Sequence, residues 1–165
     1  MQTIAYLSLG SNLNTPVANL NAAITQLKAA MTVLAVSSFY ETEPVEFTDQ
    51  PWFVNCAVKV QTEKTPQQLM ADMLNIEREM GRTRGLTEIK KGPRIIDLDI
   101  LLLGDQVVEM PGLSVPHPAL QERRFVLQPL AEIASEVRHP TLNRTIEELL
   151  AALPDGQAVR KIRPE

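Results

Sequence analysis

Two aspartates one residue apart interrupt an apolar run, Gly92-Pro93-Arg94-Ile95-Ile96-Asp97-Leu98-Asp99-Ile100-Leu101. On a strand, alternate side chains share a face. Ile96, Leu98, Ile100 and Leu102 then form one apolar face, and Asp97 and Asp99 stand together on the other, about 6–7 Å apart. Aspartate is disfavoured in strands, and neighbouring carboxylates repel unless a cation lies near them. Hard oxygen ligands on a rigid element suit Mg2+, which keeps several waters and takes phosphate oxygens as further ligands. Salt bridges to nearby arginines would satisfy the same pair without a metal.

Such cations are close by. Residues 78–94 hold Arg78, Arg82, Arg84, Lys90, Lys91 and Arg94 against Glu79 and Glu88, a net +4, whereas the whole chain carries −4. An acidic chain with one short cationic stretch points to a compact anion as partner, or more simply to a solvated basic surface. Arginine forks bind phosphate oxygens bidentately. Carboxylates that can hold metal, set beside arginines, are the general parts of phosphoryl transfer. Neither G-x-x-x-x-G-K-[ST] nor G-x-G-x-x-G occurs, so a nucleotide would not use those cradles.

A second constellation is Asp49-Gln50-Pro51-Trp52-Phe53-Val54-Asn55. Cys56, Val58 and Val60 alternate as core positions, and Cys56 reads as an inert buried thiol. Phe53 and Asn55 fall on the opposite face. An aromatic ring beside an amide can stack on a flat heterocycle and pair with its edge; ordinary packing around a hydrogen-bonded asparagine gives the same pattern. His117 is held between Pro116 and Pro118, as a phosphate contact or as a turn residue.

The elements that position these groups follow from periodicity. Thr3–Leu9 reads as a strand ended by Gly10-Ser11-Asn12. Thr15-Pro16 looks like an N-cap with proline at N1, and Val17, Leu20, Ile24, Leu27 and Met31 give one helical stripe. Thr32–Tyr40 and Val54–Thr62 read as strands around a loop from Glu41 to Phe53. Thr65-Pro66-Gln67-Gln68 is a capping box opening a second helix through Leu69, Met73, Ile76 and Met80. Arg94–Leu103 is the fourth strand, turned by Gly104-Asp105 towards a short strand at Gln106–Glu109. The order β-α-β-β-α-β predicts an α+β, ferredoxin-like sheet with helices packed on one face. Additional C-terminal helices are expected at Phe125–Ala134, short or broken at Pro129, and at Thr145–Leu153, where Thr145 and Glu148 form another capping box. Gly81, Gly85 and Gly92 punctuate the cationic connection 81–92 and make it a candidate lid.

With 165 residues, 44% hydrophobic and 22% charged, the chain is expected to fold as one domain, 1–165. A single cysteine excludes a disulfide framework and fits a reducing, cytoplasmic compartment. Met1-Gln2-Thr3 carries no basic n-region, so no signal peptide is expected. No apolar run approaches the ~18 residues of a membrane span. The acidic balance argues against nucleic acid as a partner, and a monomer is expected.

Taken in order, Gly10-Ser11-Asn12, Ser38-x-Tyr40-x-Thr42-x-Pro44, Asp49-Gln50-Pro51-x-Phe53-x-Asn55, Gly81-Arg82-x-Arg84, Gly92-Pro93-Arg94-x-Ile96-Asp97-Leu98-Asp99-Ile100, Val115-Pro116-His117 and Arg123-x-Phe125-x-Leu127-x-Pro129-Leu130 resemble the hydroxymethyl-dihydropterin pyrophosphokinases of folate biosynthesis. The resemblance covers residues 1 to about 135. It implies transfer of pyrophosphate from ATP to 6-hydroxymethyl-7,8-dihydropterin, releasing AMP. By the same resemblance Asp97 and Asp99 hold two Mg2+. Phe53 and Phe125 sandwich the pterin, and Thr42, Pro44, Val45 and Asn55 read its edge. Arg82, Arg84, Arg94, His117 and Arg123 hold phosphates, with Arg82 and Arg94 joining the two aspartates as catalytic residues. Glu77, Ile100 and Ser114 complete the ATP side. Lys91, Gly112 and Leu74 stand where members carry tryptophan, arginine and glutamine. Two readings from other classes stay open: a ferredoxin-like RNA-binding module, which shares the strand-helix order, and a catalytically dead pterin- or nucleotide-binding regulator on the same fold.

Overall fold

The computed structural model describes residues 2–13, 15–44, 49–81, 95–154 and 156–162. Five strands and two helices form the central unit: β1 (Thr3–Ser11), α1 (Pro16–Ala30), β2 (Thr32–Val36), β3 (Tyr40–Thr42), β4 (Phe53–Thr62), α2 (Pro66–Glu79) and β5 (Asp97–Leu103). β1 lies between β5 and β4, while β2 and β3 both pair with the far edge of β4. These pairings are antiparallel. The expected continuous strand Thr32–Tyr40 is therefore two strands. Between them Ser37 exchanges bonds with Ala57: its N–H donates to the Ala57 carbonyl at 2.9 Å, and its Oγ accepts from Ala57 N at 2.8 Å. This step lets the chain rejoin the β4 edge further along, and Glu41 and Thr42 belong to a strand rather than a loop.

The sheet buries both faces. Leu7, Leu9, Val58 and Leu98 pack with Leu20 and Leu27 of α1 and Leu69 and Met73 of α2. On the opposite face Tyr6, Ala57, Leu101 and Leu102 meet α3 (Arg124–Ala134) and α4 (Ile146–Ala151), through Leu127, Leu130 and Leu149. Pro129 lies inside α3 without breaking it. The expected interruption does not occur, because Pro129 is buried with Val126, Leu127 and Leu130 and the packed face offsets the missing backbone bond. Both capping boxes form, Thr65 with Gln68 and Thr145 with Glu148. Pro16 takes the first turn of α1, but the Thr15 hydroxyl makes no cap bond.

β5 carries a bulge that changes its faces. Gly10, Leu9, Ser8 and Leu7 pair with Asp97, Leu98, Asp99 and Ile100, after which Tyr6 pairs with Leu102, leaving Leu101 as the extra residue. Leu102 was expected beside Ile96, Leu98 and Ile100. The bulge instead turns it to the α3 side and returns Leu103 to the α1–α2 side.

Two hairpin strands, β6 (Val108–Met110) and β7 (Leu113–Val115), follow β5 around Pro111 and Gly112, the latter at φ 80°. Proline then glycine suits a turn that needs a left-handed third position. Finally β8 (Val159–Lys161), which strand propensity did not reveal, adds to the free edge of β3.

Candidate active site

The row of residues across the sheet sets the site. Tyr40 on β3 lies opposite Asn55 on β4, Asn55 opposite Gly10 on β1, and Gly10 opposite Asp97 on β5. Directly paired residues point to one face, so a phenol, an amide, a gap and a carboxylate follow one another. Ala57, Ser8 and Asp99 form the next row. As expected, both aspartates stand on one face of β5, each half-buried.

The gap at Gly10 is occupied by its neighbour. A Cβ there would lie 2.5 Å from Asn55 Nδ2. The Asn55 amide leans into that space and reaches the Leu9 carbonyl at 3.4 Å, while its Oδ1 accepts from the Thr42 hydroxyl. Asn55 and Thr42 are 5% and 1% exposed, so this amide is oriented before any ligand arrives.

The segment before β4 is fastened to the end of β1. Asn12 Nδ2 donates to Gln50 Oε1 at 2.7 Å and to the Pro51 carbonyl at 3.0 Å. This clamp gives the Gly10-Ser11-Asn12 and Asp49-Gln50-Pro51 motifs a positional role: it fixes where Phe53 enters the sheet. From the other side α3 presents Phe125 in its first turn, with the Arg123 guanidinium 5.6 Å from the ring centroid. The opposite end of α3 is tied down by Glu132. Its carboxylate accepts from Ser38 N at 2.7 Å and Tyr40 OH at 2.6 Å. Burial opposes its ionisation, but these bonds and the nearby Lys161 ammonium outweigh that and hold its pKa below the usual value. Burial and the same carboxylate push the Tyr40 phenol upward.

Between these elements lies a cleft of about 500 Å3, its open mouth included, lined by Thr42, Pro44, Phe53, Asn55, Phe125, Asp97 and Arg123. The residues expected to meet a flat heterocycle thus converge beside one of the two aspartates. Gly10, Glu43 and Gln157 also line it. Gly10 was legible as a motif glycine at a strand end, whereas no pattern in the sequence marked Gln157.

The remaining expected residues lie along the outer edge of β5, away from the cleft. Glu77 is 2% exposed, and its Oε2 accepts from Leu98 N at 2.8 Å. His117 N donates to the Leu101 carbonyl at 3.0 Å, and its Nδ1 accepts from Ala119 N at 3.1 Å, which puts the ring proton of the neutral form on Nε2. Ile100 faces the α1–α2 core, so only its main chain can meet a ligand. The Ser114 hydroxyl donates to Glu109 across the β6–β7 hairpin at 2.9 Å. Val45, Arg82, Arg84 and Arg94, together with the lid expected at 81–92 beyond Gly81, lie outside the described residues. Cys56 is buried in the core, which pushes its thiol up to about 12 and keeps it inert.

The chain is 43% identical over 159 residues to the folic acid synthesis protein fol1 of Schizosaccharomyces pombe, covering 95% of this chain and 21% of that protein. It therefore spans about a fifth of the length of that fungal relative. It is 44% identical over 162 residues to the 2-amino-4-hydroxy-6-hydroxymethyldihydropteridine pyrophosphokinase of Bacillus subtilis, covering 97% and 90% of the two chains. The crystal structure of wild-type Plasmodium falciparum HPPK-DHPS with pteroate shares the fold, with a TM-score of 0.73 at 18% identity, covering 92% of this chain and 42% of that one. The model of the 7,8-dihydro-6-hydroxymethylpterin-pyrophosphokinase family matches residues 6–135, and this chain belongs to that family.

Proposed function

We propose that the chain, acting as one domain over 1–165, transfers pyrophosphate from ATP to the hydroxymethyl group of 6-hydroxymethyl-7,8-dihydropterin in folate biosynthesis, in the cytoplasm and as a monomer. The observation that carries this reading is the cleft in which Phe53, Phe125, Thr42, Pro44 and Asn55 adjoin Asp97. Phe53 and Phe125 supply faces for a flat ring, and the pre-oriented Asn55 amide supplies an edge.

The donor site is assigned to the outer edge of β5, where Glu77 and His117 hold the strand and the 116–118 segment in place. Asp97 and Asp99 lie between the two subsites. Two half-buried carboxylates on one strand face are the hard-oxygen donor set that Mg2+ prefers, and these residues would hold two such ions. When bound, Mg2+ neutralises triphosphate charge and lowers the pKa of a nearby hydroxyl. Arg123 extends the positive charge from the cleft, and the sequence pattern alone assigns Arg82, Arg84 and Arg94 to the phosphates. The acceptor hydroxyl attacks the β-phosphorus, the bond to the α–β bridging oxygen breaks, and AMP leaves. Alignment and charge neutralisation account for most of such a reaction.

Packing argues against the RNA-binding reading. Such a module stacks bases on an open sheet, whereas α3 and α4 here cover Tyr6, Ala57, Leu101 and Leu102. Phosphorus NMR of a reaction with ATP and the dihydropterin tests the proposal. AMP and a pterin diphosphate should appear together. ADP with a pterin monophosphate would overturn the assigned bond cleavage, and no turnover would favour the regulator.

A further inference from the structure

The C-terminal segment forms part of the cleft wall. Val159 pairs with Thr42 and Lys161 with Tyr40, so residues 159 and 161 share the face that carries Thr42 and Asn55. The ladder continues beyond the strand at both ends. Glu43 N donates to the Ala158 carbonyl at 3.0 Å, and Ile162 N to the Phe39 carbonyl at 2.8 Å. On the other face Arg160 anchors the segment, lying 4.6 Å from the Trp52 ring centroid and 3.3 Å from the Glu41 carboxylate. Gln157, half-buried, lines the cleft and donates through Nε2 to the Glu43 carbonyl.

Among the described residues two carboxamides therefore meet the cleft, and they are engaged differently. Asn55 has its oxygen occupied by Thr42 and its nitrogen directed at Leu9. Gln157 has its nitrogen held by Glu43, and its Oε1 accepts no hydrogen bond from the described residues. An amide is planar, so a bond held at the nitrogen restricts where the oxygen can accept.

We propose that Gln157 is a specificity-determining residue of the acceptor site, its Oε1 accepting from the amino-bearing pyrimidine edge of the substrate. The inference rests on the pterin reading of the cleft and extends that site to a segment beyond residues 6–135, where the family match ends. A site built to accept from a substrate N–H discriminates against an analogue that lacks it, because a buried oxygen is then left unpaired.

The test compares Gln157→Met, which keeps the side-chain length and removes the amide, with wild type and with Arg160→Ala, which loosens the segment from outside the cleft. Calorimetric affinities are measured for 6-hydroxymethyl-7,8-dihydropterin, for its analogue with hydrogen in place of the 2-amino group, and for a non-hydrolysable ATP analogue. Gln157→Met should weaken the aminated ligand by about 3- to 10-fold, the scale of one hydrogen bond. It should change the other two affinities less than about twofold. Arg160→Ala should lower the melting temperature and leave the preference for the amino group intact. Equal losses for both pterins, a matching loss for the ATP analogue, or no loss at all would overturn the role of Gln157. A wild-type chain that binds the ATP analogue but neither pterin would overturn the reading of the cleft as well.

Discussion

Replacing Gly10 by alanine adds one carbon at the point where the Asn55 amide fills the row between β4 and β5. The new Cβ would sit 2.5 Å from Nδ2 and 3.6 Å from Cγ of Asn55. Ordinary contact begins near ~3.5 Å, so the amide must retreat by about an ångström. Its retreat strains the bond from Thr42, whose hydroxyl is 1% exposed and has no water to turn to. A buried polar group left unpaired costs about 1–3 kcal/mol, and overpacking costs a similar amount where the neighbours cannot move. Gly10 does not adopt a left-handed backbone, so the penalty is steric alone. Gly10→Ala is therefore expected to lower stability by about 1–3 kcal/mol, or about 2–12 °C in melting temperature for a chain of this size. Loss of the pre-oriented amide should weaken dihydropterin binding by about 5- to 100-fold. The decisive assay is a double-mutant cycle with Asn55→Ala, measured by urea unfolding and by calorimetric titration of the pterin. With the amide gone, the added methyl should meet the Phe53 ring at an ordinary contact of 3.9 Å, giving a coupling of about 1–2 kcal/mol. Equal effects of Gly10→Ala in both backgrounds would refute the claim that this glycine exists to admit Asn55.

Other outcomes follow from the same geometry. Phe53→Ala and Phe125→Ala should each weaken pterin binding by about 1–3 kcal/mol, the scale of base–aromatic stacking, and a parallel fall in ATP-analogue affinity would show that the sandwich is misassigned. Asp97→Ala and Asp99→Ala should each abolish AMP formation while circular dichroism stays native; near-normal turnover in either would remove the metal assignment. Because hydrogen bonds hold the Glu132 pKa below its usual 4.5 in the folded state, its contribution to stability is present above that value and is lost as pH falls through the lower folded pKa. The stability gap between wild type and Glu132→Gln should accordingly shrink on acidification, and a gap independent of pH would contradict the link to Tyr40 and Ser38.

The parts of the site legible in the sequence are those where a period of two coincides with unusual chemistry. Asp97 and Asp99 interrupt an apolar strand, and Phe53 and Asn55 oppose the Cys56, Val58, Val60 face, so alternation alone placed them. The capping boxes were equally local and formed as expected. What escaped depends on contacts distant in sequence. The step at Ser37 requires Ala57. β8 spans three residues and becomes a strand only because β3 leaves an edge. Pro129 stays within α3 because the face it packs on outweighs the local penalty. Gln157 reaches the cleft by pairing across more than a hundred residues.

The extra residue at Leu101 carries a consequence for how this strand tolerates change. Upstream of it, β5 is locked pair by pair to β1, which aims Asp97 and Asp99. Downstream, Leu102 and Leu103 serve opposite cores, and the chain leaves through Gly104 towards the β6–β7 hairpin. A one-residue slip in an unbroken ladder would rotate every side chain to the wrong face. Here a slip arising in the hairpin can be absorbed where the ladder is already out of phase, before it reaches the carboxylates. Insertions and deletions in the turn 105–107 should thus accumulate among descendants of this chain without disarming it, whereas a single residue added between Asp97 and Ile100 should eliminate activity even where the fold survives.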